Sequence, residues 1–212
     1  PVDLLVTALG ETVYMVLTSL VLAGALGIPL GLMLVVTAPG HLLEAPVVNH
    51  GLTVVVNTTR SVPFIILMVA IIPFTRWVVG SSIGTTAAIV PLTLAAIPFV
   101  ARVSESSVRE VDSGLIEAAL AMGASPLQVV VRVLVYEALP GLVRGLTITA
   151  VNLISYSAMA GVLGGGGLGN LAVRYGYQRR ELAILVSTII ILVLLVQAIQ
   201  GLGNIIAAKL RR

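Results

Sequence analysis

The stretch Asp112-Ser-Gly-Leu-Ile-Glu-Ala-Ala-Leu-Ala-Met-Gly-Ala-Ser-Pro-Leu-Gln128 contains one short helix, its stop, and the start of a second helix. Asp112 or Ser113 can cap a first helix over Leu115–Met122, with Glu117 in its N-terminal half, where the helix dipole tolerates an anion. Gly123 can take the left-handed conformation that ends a helix. Ser125, Pro126 and Gln128 then supply an N-cap, a first helical position and the reciprocal capping side chain. The second helix is expected to run to about Leu139, with Pro140-Gly141 re-aiming the chain. Leu115, Ile116, Ala119, Leu120 and Met122 make the first helix apolar although charged residues surround it on both sides.

Beyond this hairpin the chain turns to hydrocarbon. Of 212 residues 58% are hydrophobic and 10% charged, less than half the charge of a soluble domain, which excludes a water-facing globule and a disordered chain. Cysteine is absent, so a disulfide framework and a thiolate metal site are excluded, and no metal-ligand set stands out. No basic run interleaved with aromatics suggests nucleic-acid binding. Thr12–Val36, Trp77–Ala101, Gly145–Val173 and Leu182–Ala208 carry no Asp, Glu, Lys or Arg and are long enough to cross a hydrocarbon core of about 30 Å. Leu52–Thr75 is a fifth candidate, interrupted by Arg60 one or two turns from its start, where a long cation reaches the headgroups. The fold expected is an all-α membrane protein with five transmembrane helices and span centres free of ionisable groups.

Five spans place Arg60, Arg102, Arg109, Arg132, Arg144, Lys209, Arg211 and Arg212 on one side and Arg76, Arg174, Arg179 and Arg180 on the other. The richer set is expected to be cytoplasmic, which puts the N-terminus outside and the C-terminus inside. The absence of a basic n-region argues against a cleavable signal peptide over Thr12–Val36. Phe74, Trp77, Tyr175 and Tyr177 then fall at the outer interface. Pro29, Pro63, Pro73, Pro91 and Pro98 favour kinks in or beside the spans. The pairs Gly27/Gly31, Gly141/Gly145 and Gly161/Gly165 suit close helix approach, within one subunit or at a dimer seam.

An apolar helix on the cytoplasmic side is either packed beneath its own bundle or offered to a partner groove, with Glu117 at the rim. Glu117-Ala118-Ala119, Gly123 and the hydrophobic Val133 resemble the EAA loop of permeases of type I ABC importers, most closely the methionine-importer branch. Arg60-Ser-Val-Pro-Phe-Ile-Ile-Leu67, Ile72-Pro-Phe-Thr-Arg76, Gly80-Ser-Ser-Ile-Gly84, Ala88-Ile-Val-Pro-Leu92, Ala121-Met-Gly-Ala124, Tyr156-Ser-Ala-Met159 and Gly166-Gly-Leu-Gly169 extend the resemblance over nearly the whole chain. The pattern departs from the family at Val135-Tyr136, where Leu-Pro is usual.

The resemblance implies the type I ABC importer permease fold with a cytoplasmic coupling helix. Its implied divisions are an external segment 1–11, a transmembrane domain 12–208 and a basic tail 209–212. Within the domain they are spans at about 12–36, 52–75, 80–102, 141–162 and 182–206, an EAA region 112–139 and an outer glycine-rich loop 163–181. It further implies an inner-membrane homodimer held in lipid, two cytoplasmic ABC ATPase subunits, and an external or periplasmic methionine-binding protein. The chain would not be an enzyme and would carry no cofactor, since ATP and Mg belong to the ATPase; no G-x-x-x-x-G-K-[ST] is present. Leu115, Glu117, Ala118, Ala119, Met122, Gly123, Ala124 and Ser125 would dock the ATPase. Asn152, Ser155, Tyr156, Ser157 and Met159 are candidates for the pathway, because polar groups in a span face protein or a cavity; helix-to-helix hydrogen bonding is the other reading.

Two short patterns imitate enzymes. Gly164–Gly169 satisfies G-x-G-x-x-G but lacks the preceding strand of a dinucleotide site, and is read as a flexible outer turn. Gly80–Gly84 satisfies G-x-S-x-G, yet the two histidines, His41 and His50, belong to an inner loop a bilayer away from Ser82. The alternatives are an importer of another small solute, such as an osmoprotectant, a phosphonate or another amino acid, and an ion-coupled secondary transporter. The latter normally needs ionisable groups deep in its spans.

Overall fold

The computed structural model describes residues 2–210 and is all-helical among them. The expectations on Pro1, Arg211 and Arg212 lie outside the described residues. Helix α1 runs Val2–Val36. It begins ten residues before the expected span, because Leu5, Ala8 and Leu9 continue its apolar face and pack with Leu168, Leu171 and Ile184. Helix α5 (Thr85–Arg109) lies along α1, and α8 (Val135–Ala160) and α10 (Leu182–Leu210) complete the bundle. Met15, Val16 and Ala23 of α1 meet Leu92, Ala96 and Val100 of α5 and Leu153 and Ile154 of α8 in its core.

The α1–α5 contact is close because it has few side chains. A Cβ on Gly27 would lie 2.7 Å from Val100 Cβ, and one on Gly31 2.5 Å from the Ala101 carbonyl. Gly141 and Gly145 likewise face Ser107 and Val103 of α5. These pairs seal one subunit, as small residues do where packing drives helix association.

The expected second span is not one helix. Pro46–Ser61 (α2) is followed by Phe64–Ala70 (α3) at a bend of 101°, then by Ile72–Val79 (α4). Pro63 supplies the break: it donates no hydrogen bond and drives Val62 into extended backbone (φ −81°, ψ 123°). Proline at the first position of α2 also starts that helix at residue 46. Four helical stretches are long and apolar enough to cross a membrane, and the bent pair makes a fifth candidate.

Pro140, by contrast, breaks nothing. Pro126–Val129 (α7), a π-helical turn at Val130–Leu134, and α8 form one continuous rod of helix that reaches Val162. The expected re-aiming at Pro140-Gly141 is therefore absent. The expected outer loop 163–181 is mostly helical: the chain turns at Leu163-Gly164, re-enters as α9 (Gly167–Leu171) and continues in π-helical geometry over Ala172–Gln178.

Candidate functional site

Helix α6 (Ser113–Ala121) and its flanks are built from local sequence. Asp112 Oδ1 accepts from Gly114 N at 2.7 Å. At the other end Gly123, with φ +85°, lets its own N–H donate to Leu120 O and Ala124 N donate to Ala119 O, the paired bonds of a Schellman stop. Ser125 and Gln128 then form the reciprocal capping box that opens α7. Ile116 packs on the cluster of Val35, Val108 and Leu134, which anchors α6 beneath the bundle. Leu115, Glu117, Ala118, Met122, Gly123 and Ser125 are exposed, Met122 at 82%. Ala119 is buried and Ala124 half-buried, and the bond from Ala124 N to Ala119 O ties them together, so of the two only Ala124 presents part of its surface. Leu127, 71% exposed, extends the apolar surface beyond the residues the sequence singled out.

Behind this hairpin, near the C-terminal end of α5, Glu105 is buried between two guanidinium groups. Arg102 and Arg109 both donate to it, Arg109 Nη2 at 2.9 Å, and Arg102 Nη2 also donates to Asn57 Oδ1 at 2.8 Å. A carboxylate left alone there would be costly; two donors from its own helix satisfy it.

On α8, Ser155 and Met159 are exposed and line an open, largely apolar groove of about 640 Å³ with Val162, Val193, Val196 and Gln197. Gln197 is exposed midway along α10 and was not singled out by sequence; the signal was an amide inside an otherwise apolar run. Tyr156 is half-buried, its ring stacked on Phe64 of α3 with centroids 4.8 Å apart. Asn152 is half-buried. Ser157 does not belong with these: it is buried and its hydroxyl donates to Ile154 O at 2.7 Å, so it faces the bundle.

Asn49, near the start of α2, donates to Leu34 O at 2.6 Å, and Val56 packs with Leu34 and Ala101, which holds α2 beside the C-terminal part of α1. Arg60, exposed in the last turn of α2, has its guanidinium 5.9 Å from the ring centroid of Phe99.

At the opposite end of the bundle from α6, the start of α9 is capped from another helix. Glu11 accepts from Gly167 N at 2.6 Å, and Thr12 Oγ1 accepts from Leu168 N at 2.9 Å. Gly84 N donates to Gly164 O, tying the Gly80–Gly84 loop to the same turn. Ser82 receives its hydrogen bond from Arg76 Nε, which neutralises nothing and offers no base. Both enzyme-like patterns are thus parts of one hydrogen-bonded turn beside α9.

The described residues contain no group of three or more His, Cys, Asp or Glu placed to hold a metal. Residues 27–212 match the family model described as binding-protein-dependent transport system inner membrane component. The chain is 54% identical over 207 residues to the probable D-methionine transport system permease protein MetI of Vibrio cholerae serotype O1, covering 98% of this chain and 92% of that protein. It is 50% identical over 158 residues to the D-methionine transport system permease protein MetI of Escherichia coli K12, covering 74% and 73%. The fold matches a chain of the inward-facing MetNI methionine ABC transporter in its CY5 native crystal form, with TM-score 0.98, 45% identity and coverage of 100% and 98%. A solved amino acid ABC transporter shares the fold at TM-score 0.81 and 16% identity.

Proposed function

The chain belongs to the family of binding-protein-dependent transport system inner membrane components, and from that premise we propose that it is the permease of an ATP-driven importer of methionine, in its L- and D-forms. The observation that carries the reading is whole-chain similarity to methionine permeases, 54% over 98% of this chain. The chain is a multi-pass inner-membrane component without catalytic role or cofactor of its own. In the proposed assembly two copies form the pathway, two ATPase subunits bind ATP and Mg, and an external binding protein delivers the amino acid.

The geometry supports a division of labour. Exposed Leu115, Glu117, Ala118, Met122, Gly123 and Ser125 form a short lever, and Leu127 widens it. The lever is rigidly joined to the bundle because α7 passes into α8 without interruption. An ATPase that grips it differently with and without ATP can therefore rock the spans as bodies, which is what coupling between two sites requires. The exposed part of α8 at Ser155 and Met159, with Tyr156 and Asn152 beside it, borders the pathway, and the outer plug of α9 closes its far end.

Vesicles holding this permease with its ATPase and binding protein are expected to accumulate labelled methionine when ATP is supplied. Accumulation of a different solute instead would overturn the substrate. Orientation is tested separately, since the chain has no cysteine. Cysteines placed singly at Ser125 and Tyr177, both exposed, are expected to label from the cytoplasmic and the outer face respectively. Labelling from one face would overturn the topology.

A further inference from the structure

We propose that α8 and α10 together form the face on which a second copy of this chain packs, an inference that rests on the two-copy assembly argued above. Two stripes carry it. Along α8 and its continuation, Ile148, Asn152, Ser155, Met159 and Val162 follow one another at steps of four and three residues, and all but the half-buried Asn152 are exposed. On α10, Val186, Ile190, Val193, Gln197, Gln200 and Asn204 keep the same steps, and all six are exposed. This spacing holds a row on one side of a helix for several turns and is the one by which two helices meet along their length.

The polar members of the rows decide what covers them. Gln197 lies sixteen residues after Glu181 and twelve before Lys209, about 24 and 18 Å of helix, with no charged residue between. Among the described residues, the side chains of Gln197, Gln200, Asn152 and Ser155 make no hydrogen bond, whereas Thr147, Thr149 and Ser157 of the same bundle each donate to a carbonyl of their own helix. An amide facing hydrocarbon without a partner is costly. The other exposed side of α10, at Leu194, Ala198, Leu202 and Ile205, bears only hydrocarbon and suits lipid. So α10 has two exposed sides of different chemistry, and only one of them lacks a partner.

A second copy supplies it. An amide is donor and acceptor at once, so the same row on two copies is self-complementary about a two-fold axis, as an interface between identical surfaces requires. Interhelical hydrogen bonds of this kind join helices in lipid. Between the rows runs the groove of about 640 Å³, with Ser155 and Met159 on one wall and Val193 and Gln197 on the other, open to a ridge of partner side chains. Of the four long helices α10 is also the least covered by its own chain: 11% of its most apolar stretch is buried, against 39% or more in the others. The same seam would close the pathway beside Ser155 and Met159 against lipid.

The chain has no cysteine, so single cysteines report on the seam in the complete transporter. With copper phenanthroline as oxidant, at least one of Val193→Cys, Gln197→Cys and Gln200→Cys is expected to give a disulfide-linked permease dimer roughly tenfold faster than Leu202→Cys, because apposed thiols react at high effective concentration. A water-soluble maleimide is expected to label these three positions no faster than Leu202→Cys. Cross-linking led by Leu202→Cys, equal rates at all four positions, no cross-linking at any of them, or fast maleimide labelling of the α10 row would each overturn the inference; the last would make the row a wall of the aqueous pathway. Failure of the two-copy assembly looks different: native mass spectrometry of the intact transporter would then find a single permease chain, whatever the cysteines show.

Discussion

The inner hairpin at Asp112–Gln128 and the outer turn at Gly161–Gly169 are both short, glycine-marked connections beside helix α8, yet they are held in opposite ways. Every helix end of the inner hairpin is satisfied from within five residues: Asp112 to Gly114, Ala124 to Ala119, Ser125 to Gln128. The outer turn is satisfied from across the chain, by Glu11 and Thr12, 156 residues away from the amides they receive. The inner hairpin is therefore a preformed part offered to solvent, and the outer turn exists only once α1 and α9 have met. On the proposed function the hairpin is a lever that must keep its shape while a partner grips it, whereas the turn needs to be held only by the bundle around it.

Substitution at a glycine in each region should separate them most sharply. Gly169→Val is expected to destabilise the protein by about 3 kcal/mol or more, because any side chain there would run into the backbone of Ala158, which cannot give way. The measure is the yield and melting temperature of the purified protein, and wild-type values would refute the account of the outer turn. Gly123→Arg has open space around it and costs about 1–2 kcal/mol for its left-handed backbone. It is expected to assemble yet transport at least about tenfold less, since 1.4 kcal/mol of lost docking already gives that factor. Normal uptake would show that the hairpin is not the lever.

The smallest effects compare the caps themselves. Glu11→Gln removes a charge aimed at a half-buried helix start and is expected to cost about 1–2 kcal/mol. Ser125→Ala loses one long bond of 3.4 Å at an exposed site and is expected to cost about 0.5 kcal/mol. Thermal unfolding of the two variants tests the ranking. The reverse order would mean that the outer turn is no more dependent on tertiary contacts than the inner one.

The same contrast explains what was legible in advance. The capping box, the stop at Gly123 and the long charge-free runs act through neighbours in the chain, and composition or spacing reveals them. The break of the second span was only half visible: Pro63 marks a kink in the sequence, but the 101° size of the bend belongs to the folded chain. Pro140 carried an equal local signal and produced no break, since the π-helical turn at Val130–Leu134 lies in a rod already packed along its length. Ser157 and Ser155 are indistinguishable as letters; helix rotation buries one and exposes the other.

Sequence alone determined that this chain is a helical membrane protein with a capped, apolar helical hairpin, because hydrophobic length and helix ends are local free energies. Tertiary structure alone decided that the glycine-rich stretch folds back as a capped helix and that Glu11 is its cap. Those outcomes depend on which distant groups a packed bundle brings within hydrogen-bond reach, and no window of neighbouring residues contains that information.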